Sequence, residues 1–151
     1  MTTVVRDARP PSLLIKVLNP IMRIVLSSSL GGLVKPFGLV EFSGRSTGRR
    51  YRVPVGVYRL GAIPVVFTPA AWRANFEGGA PAVVHHLGRA HAMTGELVRD
   101  PAQVAAGLRG VIATGASTRL LGLDVPPGHE IEASDVVLVD RAMIEFHPAE
   151  A

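Results

Sequence analysis

A turn rich in arginine and hydroxyl side chains is the part of this sequence best suited to chemistry. Residues 43–55 read SGRSTGRRYRVPV, with Gly44 and Gly48 on either side of Ser46 and Thr47. Glycine lets a ligand approach backbone N–H groups, hydroxyls donate hydrogen bonds, and guanidinium groups bind phosphate through paired N–H bonds. The pattern suits a bound phosphate and is equally compatible with a solvated hairpin loop. It is not a Walker A loop, because the Gly-Lys pair is missing.

The composition indicates one small domain with a large apolar core. The chain has 151 residues, of which 48% are hydrophobic and 19% are charged, and its mean hydropathy is +0.31. A chain of this length buries most of the surface that its unfolded form exposes. The net charge is +4. Lysine occurs only at Lys16 and Lys35, so arginine supplies most of the positive charge, which favours bidentate contacts to phosphate or carboxylate.

Several function classes are disfavoured by the residue types. Without cysteine the chain has no disulfide, thiolate zinc site or thiol nucleophile, which fits a cytoplasmic location. Nucleic-acid binding is not expected, because Tyr51 is the one aromatic residue near the arginines. A hairpin turn at Gly88-Arg89 would place His86 opposite His91, but no third ligand is positioned, so structural histidines are favoured and no metal site is predicted. No acid–base group can be assigned as catalytic.

The elements that would position the turn are mostly strands. Residues 50–59 alternate apolar and polar side chains, as a half-exposed antiparallel strand does. Asp100 and Pro101 suit the N-cap and first position of a helix. Further strands are predicted at 36–43, 63–68, 82–87 and 90–98, a last strand or hairpin at 136–139 and 143–146, and short helices at 72–77 and 116–123. The sequence therefore predicts a mainly β protein, a small antiparallel barrel with helical decorations.

The N-terminal part divides into a flexible tail and a helical segment. Residues 1–11 are expected to be a tail, and residues 12–151 one domain. Ser12 to Leu30 has apolar residues at helical spacing and a kink at Asn19-Pro20. It suits an N-terminal helix that packs on the barrel or across a dimer, or one that lies on a membrane surface or covers a lipid-like ligand. Peripheral contact with the inner face of the cell membrane therefore stays open, whereas a membrane span is disfavoured by the interrupting polar residues.

From Phe42 the order of short motifs resembles that of the deazaflavin-dependent nitroreductase family. FSGRSTGRRYRVPVGVYR is similar to the family signature T-T-G-R-[KR]-[ST]-G-x-x-[RY]-x-[VT]-P, and residues 72–76 (WRANF) resemble its Trp-x-x-Asn-Leu helix. Gly78-Gly79 and Gly88-Arg89 follow in the same order. The resemblance covers about Phe42 to Val98. It implies an FMN-binding-like split β-barrel that binds coenzyme F420 and, by analogy alone, forms a homodimer.

The resemblance assigns cofactor contacts to three segments of the chain. The phosphate and oligoglutamate arm of the cofactor would meet Arg45, Ser46, Thr47, Gly48 and Arg49. The next strand would line its side through Tyr51, Val53 and Pro54. The segment near the deazaflavin ring would comprise Thr68, Pro69, Ala70, Ala71, Trp72 and Asn75. This chain departs from the family at Ser46, where many members have Lys or Arg, and in its TPAA turn, which replaces a Ser-rich one.

The function implied by the resemblance is that of a coenzyme F420-dependent oxidoreductase. Hydride would pass from the reduced deazaflavin to a small hydrophobic acceptor, such as a nitro compound or a quinone, with the cofactor supplying the chemistry. FMN presents a phosphate to the same kind of turn and is disfavoured only by the family pattern. The alternative is a non-catalytic barrel that holds a lipid or fatty acid, with the arginines meeting its carboxylate.

Overall fold

The computed structural model describes residues 5–7 and 37–149. The strands are β1 Arg6–Asp7, β2 Phe37–Ser43, β3 Arg50–Gly56, β4 Tyr58–Leu60, β5 Ile63–Thr68, β6 Ala80–His86, β7 Arg89–Val98, β8 Leu123–Asp124 and β9 Ala142–Pro148. The helices are the 3₁₀ helix Ala71–Phe76, α1 Pro101–Ala113 and α2 Ala133–Leu138. The predicted helix at Ser12 to Leu30 lies outside the described residues. Within the described part of the chain, no helix is long and apolar enough to cross a membrane.

Seven of the strands form one antiparallel sheet in the order β3-β2-β6-β7-β9-β5-β4. Strands β3 and β4 lie at its two edges, yet Val57 is the single residue between them. The sheet therefore curls until its edges approach each other, and β3 contacts β5. The predicted mainly β, antiparallel architecture is confirmed, and the curled sheet is compatible with a split barrel.

The concave face of the curled sheet is filled with apolar side chains. Alternate residues of each strand point to this face, and the two large rings of Phe76 and Phe146 lie 5.9 Å apart within it. Gly95 on β7 leaves room for both rings. The buried members of this interior cluster are Val40, Phe42, Val57, Val66, Phe76, Ala82, Val84, Ile144 and Phe146.

The convex face of β4, β5 and β9 is covered by the two α-helices. Helix α1 begins as predicted, with Pro101 in its first turn and the Asp100 carboxylate accepting from the Gln103 N–H at 3.4 Å. Its fully buried Leu108 belongs to a second apolar cluster that includes Val65 of β5. Residues 5–7 join this side of the molecule, because β1 pairs with β8.

The β6–β7 hairpin turns one residue earlier than the sequence suggested. Leu87 and Gly88 occupy the turn with φ of 54° and 78°, the left-handed conformations that a two-residue type I′ turn requires. His86 therefore pairs with Arg89, and His91 pairs with Val84. The prediction that His86 and His91 lie directly opposite each other is wrong, although both remain on the concave face.

Two predictions for the C-terminal third are also wrong. Residues 136–139 belong to helix α2 and its end, since the Glu132 N–H donates to the Asp135 carboxylate at 2.9 Å and starts a helix there. Burial of Val136 against the α1 side of the protein overrides the strand propensity of this β-branched run. Residues 116–123 form successive turns that lead into β8 and contain no helix.

The Asp135 carboxylate is held by two hydrogen bonds. Burial by itself would raise the pKa of Asp135, but the bonds from the Glu132 N–H and from His129 Nε2, at 2.8 Å, outweigh that effect and leave the pKa lowered. The ionised form of Asp135 therefore stabilises the start of α2.

We expect Gly95→Ala to lower the free energy of unfolding by about 1 to 3 kcal/mol, because overpacking a full interior is destabilising. The added methyl group would lie 2.6 to 2.9 Å from ring atoms of Phe76 and Phe146. Gly110→Ala in α1 is the matched control: its methyl group meets the flexible end of Leu60, and alanine is favoured over glycine in helices. Urea unfolding of both variants measures the difference, and equal destabilisation would contradict the packing described.

We expect Asp135→Asn to lower the free energy of unfolding by about 1 to 2 kcal/mol at neutral pH, because it weakens the N-terminal cap of α2. A lowered pKa means that the carboxylate stabilises the fold fully above its unfolded pKa of about 3.9 and that this contribution is lost as the pH falls through the folded pKa. Denaturant unfolding from neutral pH down to about pH 3 should show that the difference in free energy of unfolding between the wild-type protein and Asp135→Asn becomes smaller. Glu96→Gln, which alters an exposed carboxylate, is the control and should show no such difference.

Candidate functional site

The arginine-rich turn connects β2 to β3 and is closed by its own backbone. The Gly44 N–H donates to the Arg49 carbonyl at 2.7 Å, and the Gly48 N–H donates to the Gly44 carbonyl at 2.8 Å. Gly48 has a φ of +69° with open space beside it, and a side chain at Gly44 would collide with Thr47 and Tyr51. Both glycines are thus required by the geometry of the turn.

A long-range contact ties the turn to the 3₁₀ helix. The Arg45 N–H donates to Asn75 Oδ1 at 2.8 Å, across 30 residues of sequence, and Asn75 Nδ2 donates to the Trp72 carbonyl at 2.8 Å. The Arg45 guanidinium donates to the carbonyl of Glu77 just after the helix. The structure therefore brings Arg45 and Asn75 together, and it gives both ends of the Asn75 amide a structural partner.

The arginines of the turn and of β3 divide into paired and available cations. Arg52 Nε lies 2.7 Å from Glu41 Oε1, and His85 Nε2 lies 3.3 Å from the other oxygen of that carboxylate. Burial alone would raise the pKa of Glu41, but the hydrogen bonds and charges of His85 and Arg52 leave it lowered, so Glu41 neutralises Arg52. Among residues 37–149 no acceptor is recorded for the guanidinium groups of Arg49 and Arg50, which are exposed.

An aromatic stack lies at the same end of the sheet. The Phe42 ring stacks on Tyr51 with centroids 5.4 Å apart and on Trp72 at the same separation, and Phe76 meets Phe42 edge-on at 5.2 Å. Tyr51 remains 37% exposed, whereas Trp72 is half-buried and packs against the interior cluster. Trp72 thus anchors the 3₁₀ helix to the curled sheet, and Tyr51 presents an accessible ring beside the turn.

The other predicted contact residues spread over both faces of the sheet. Val53 pairs with Val40 and faces the interior, whereas Pro54 pairs with Leu39 and faces the opposite way. Thr68 is buried, and its hydroxyl accepts a hydrogen bond from the Ala70 N–H at 3.0 Å. The remaining predicted residues are Pro69 and Ala70, which are half-buried, and Ser46, Thr47 and Ala71, which are exposed.

A cavity of about 470 Å³ adjoins the turn. Its lining includes Arg45, Arg50 and Asn75, together with Glu41 and Phe42, whereas residues 68–72 do not line it. Arg50 was not among the predicted contact residues, because its place on the polar side of a strand is equally typical of a solvated edge. The β2–β3 register, which pairs Arg50 with Ser43, puts it at the cavity.

No family model matches the chain, and no curated protein shows significant sequence similarity to it. Among the residues that the structure describes, no group of three or more His, Asp or Glu side chains is placed to hold a metal ion.

We expect Asn75→Ala to speed hydrogen exchange of the Arg45 amide by roughly tenfold, the effect of losing one hydrogen bond of about 1.4 kcal/mol. The Gly48 amide, bonded within the turn, should keep its exchange rate. Asn75→Asp retains an oxygen acceptor and should restore protection at Arg45. Amide exchange followed by NMR checks all three, and an unchanged Arg45 rate in Asn75→Ala would show that the turn holds its shape without the helix.

Proposed function

We propose that the protein is a coenzyme F420-dependent oxidoreductase with a split β-barrel fold, which passes hydride to a small hydrophobic acceptor such as a nitro compound or a quinone. The observation that carries the proposal is the turn itself. Its backbone is already held in shape, and Arg49 and Arg50 extend from it without recorded acceptors among residues 37–149. Such a turn offers charge-assisted donors to a phosphate group.

The turn passes a simple test of fit for a phosphate-bearing cofactor. Space beside Gly48 is open, so an anion can come close to the turn there, while the Gly48 N–H itself stays bonded to the Gly44 carbonyl. Ser46 and Thr47 are exposed and add hydroxyl donors. Glu41, which lines the adjoining cavity, is neutralised by Arg52 and does not repel an anion with its full charge.

The residues of this chain would bind and orient the cofactor. Arg49 and Arg50 would clamp the phosphate, and Arg45, positioned by Asn75 and Glu77, would add a third guanidinium at the same end. Tyr51, stacked on Phe42, offers an accessible apolar ring next to the clamp. When bound, the deazaflavin supplies the hydride.

The FMN alternative differs from this proposal only in the group that the same turn would hold. Both cofactors present a phosphate, and the order of motifs from Phe42 to Val98 favours the deazaflavin. Homodimer formation and peripheral membrane contact through Ser12 to Leu30 are further parts of the proposal.

We expect purified protein to change the fluorescence of coenzyme F420 on titration at micromolar concentrations. Arg49→Ala should weaken the affinity by about 10- to 100-fold, because a charge-assisted hydrogen bond contributes about 1.5 to 3 kcal/mol. Arg119→Ala removes an exposed arginine elsewhere on the protein and serves as the matched control with unchanged affinity. No fluorescence response of the wild-type protein at tens of micromolar would overturn the proposal.

A further inference from the structure

A second cavity, of about 520 Å³, opens at the other end of the curled sheet. We call it the mouth cavity. Its floor is apolar and belongs to the interior of the sheet, through Val57, Val84, Met93 and Phe146. Its rim carries basic side chains, which are Arg59, His86, Arg89 and His91.

The strand register explains why four basic residues meet at this rim. His86 pairs with Arg89 across the β6–β7 hairpin, and His91 pairs with Val84, so all three basic residues share the concave face with Val84. Arg59 pairs with Pro64 across the β4–β5 hairpin, and both line the same cavity. On the concave face of these strands, the basic side chains thus lie at the rim and the apolar side chains lie further inside.

The mouth cavity lies at a distance from the arginine-rich turn, and Met93 is the one described residue that lines both it and the cavity beside the turn. The first residues of β2 lie beside the last residues of β6, at the mouth, where Leu39 pairs with His85. Strand β2 then runs away from the mouth and reaches the arginine-rich turn after Ser43. At about 3.3 Å per residue, the turn lies roughly 15 to 20 Å from the mouth along the strand. The two sites share no arginine: Arg59 and Arg89 line one, and Arg45 and Arg50 line the other.

The ionisable side chains that line the mouth cavity are all basic. No Asp or Glu lines it in the described part of the chain, and no acceptor is recorded there for the guanidinium groups of Arg59 and Arg89. Guanidinium groups at the edge of an apolar pocket attract an anionic group and leave the apolar part of the same molecule to fill the floor. At about 30 Å³ for each water-sized atom, the cavity has room for roughly 15 to 20 non-hydrogen atoms.

We propose that the mouth cavity binds an organic anion in which one carboxylate or phosphate group is joined to an apolar body of medium length. Arg59 and Arg89 hold the charged group at the rim, and the body lies against Val84 and Phe146. This site is independent of coenzyme F420 binding at the turn, so either proposal can fail while the other stands.

Calorimetric titration of the full chain with matched ten-carbon probes tests the proposal. Decanoate and decyl phosphate carry the anionic group, decan-1-ol lacks the charge, and acetate lacks the apolar body. We expect saturable one-to-one binding of at least one of the two amphiphilic anions, with decan-1-ol and acetate at least about tenfold weaker. Tighter binding of decanoate or of decyl phosphate identifies the charged group. Equal binding of decan-1-ol, or no binding by either anion, would overturn the proposal.

Two kinds of variant locate the binding site. Arg59→Gln combined with Arg89→Gln removes the rim charges and should weaken binding of the anion at least about tenfold, the loss of a charge-assisted hydrogen bond. Ala62→Trp places a large side chain at the exposed β4–β5 turn, which lines the cavity, and should abolish binding while the arginines remain. Circular dichroism and thermal unfolding confirm that both variants fold.

Arg49→Gln is the matched control at the other end of the sheet. It should leave binding of the amphiphilic anion unchanged while it weakens binding of coenzyme F420. Loss of anion binding in Arg49→Gln, with full binding in the Arg59→Gln and Arg89→Gln double variant, would assign the anion to the turn and overturn the mouth site.

Discussion

The single-residue link at Val57 is the constraint on which the rest of the molecule depends. In a flat sheet with strands about 4.8 Å apart, the edge strands β3 and β4 would be separated by about 29 Å. Two Cα–Cα steps, from Gly56 through Val57 to Tyr58, span at most about 7.6 Å. The sheet must therefore curl, and this curvature creates both the enclosed apolar interior and the two ends at which side chains gather. Val57 itself is 2% exposed, so the link also closes the interior that it enforces.

Local sequence patterns were sufficient to locate most of the strands and the start of helix α1. Alternation and turn residues identified β2, β5 and β7 closely, and the Asp100-Pro101 pair identified the helix start. The errors arose where a distant contact decides the outcome. Residues 50–59 read as one strand, and the break at Val57 exists because the second half pairs with β5 at the other edge. The run at 136–139 became helical because Val136 and Val139 pack on the α1 side of the protein, whereas Val137 and Leu138 are exposed, an arrangement that a helix provides.

For the candidate sites too, some features could be predicted from neighbouring residues in the sequence, and others depend on contacts between distant parts of the chain. The composition of the turn was evident from the sequence, but its bond to Asn75 joins residues 30 positions apart and needed the folded chain to be seen. The basic ring at the mouth depends on register: a hairpin turn one residue later would have sent His91 and Arg89 to different partners. Residue types therefore indicated which chemistry was available, and long-range pairing decided which groups share a site.

The support given to the turn by its own backbone and by Asn75 has a consequence for how this protein can change. The hydrogen bonds that shape the turn come from main-chain groups, the Asn75 amide, the Thr47 hydroxyl and the Arg45 guanidinium, so the side chains at 46, 49 and 50 are not needed to maintain it. Substitutions at these exposed positions can alter charge and size while the backbone stays in place. The surface of the turn is thus open to changes of charge and size with little loss of stability, whereas substitutions at Gly44 and Asn75 would disturb the backbone itself.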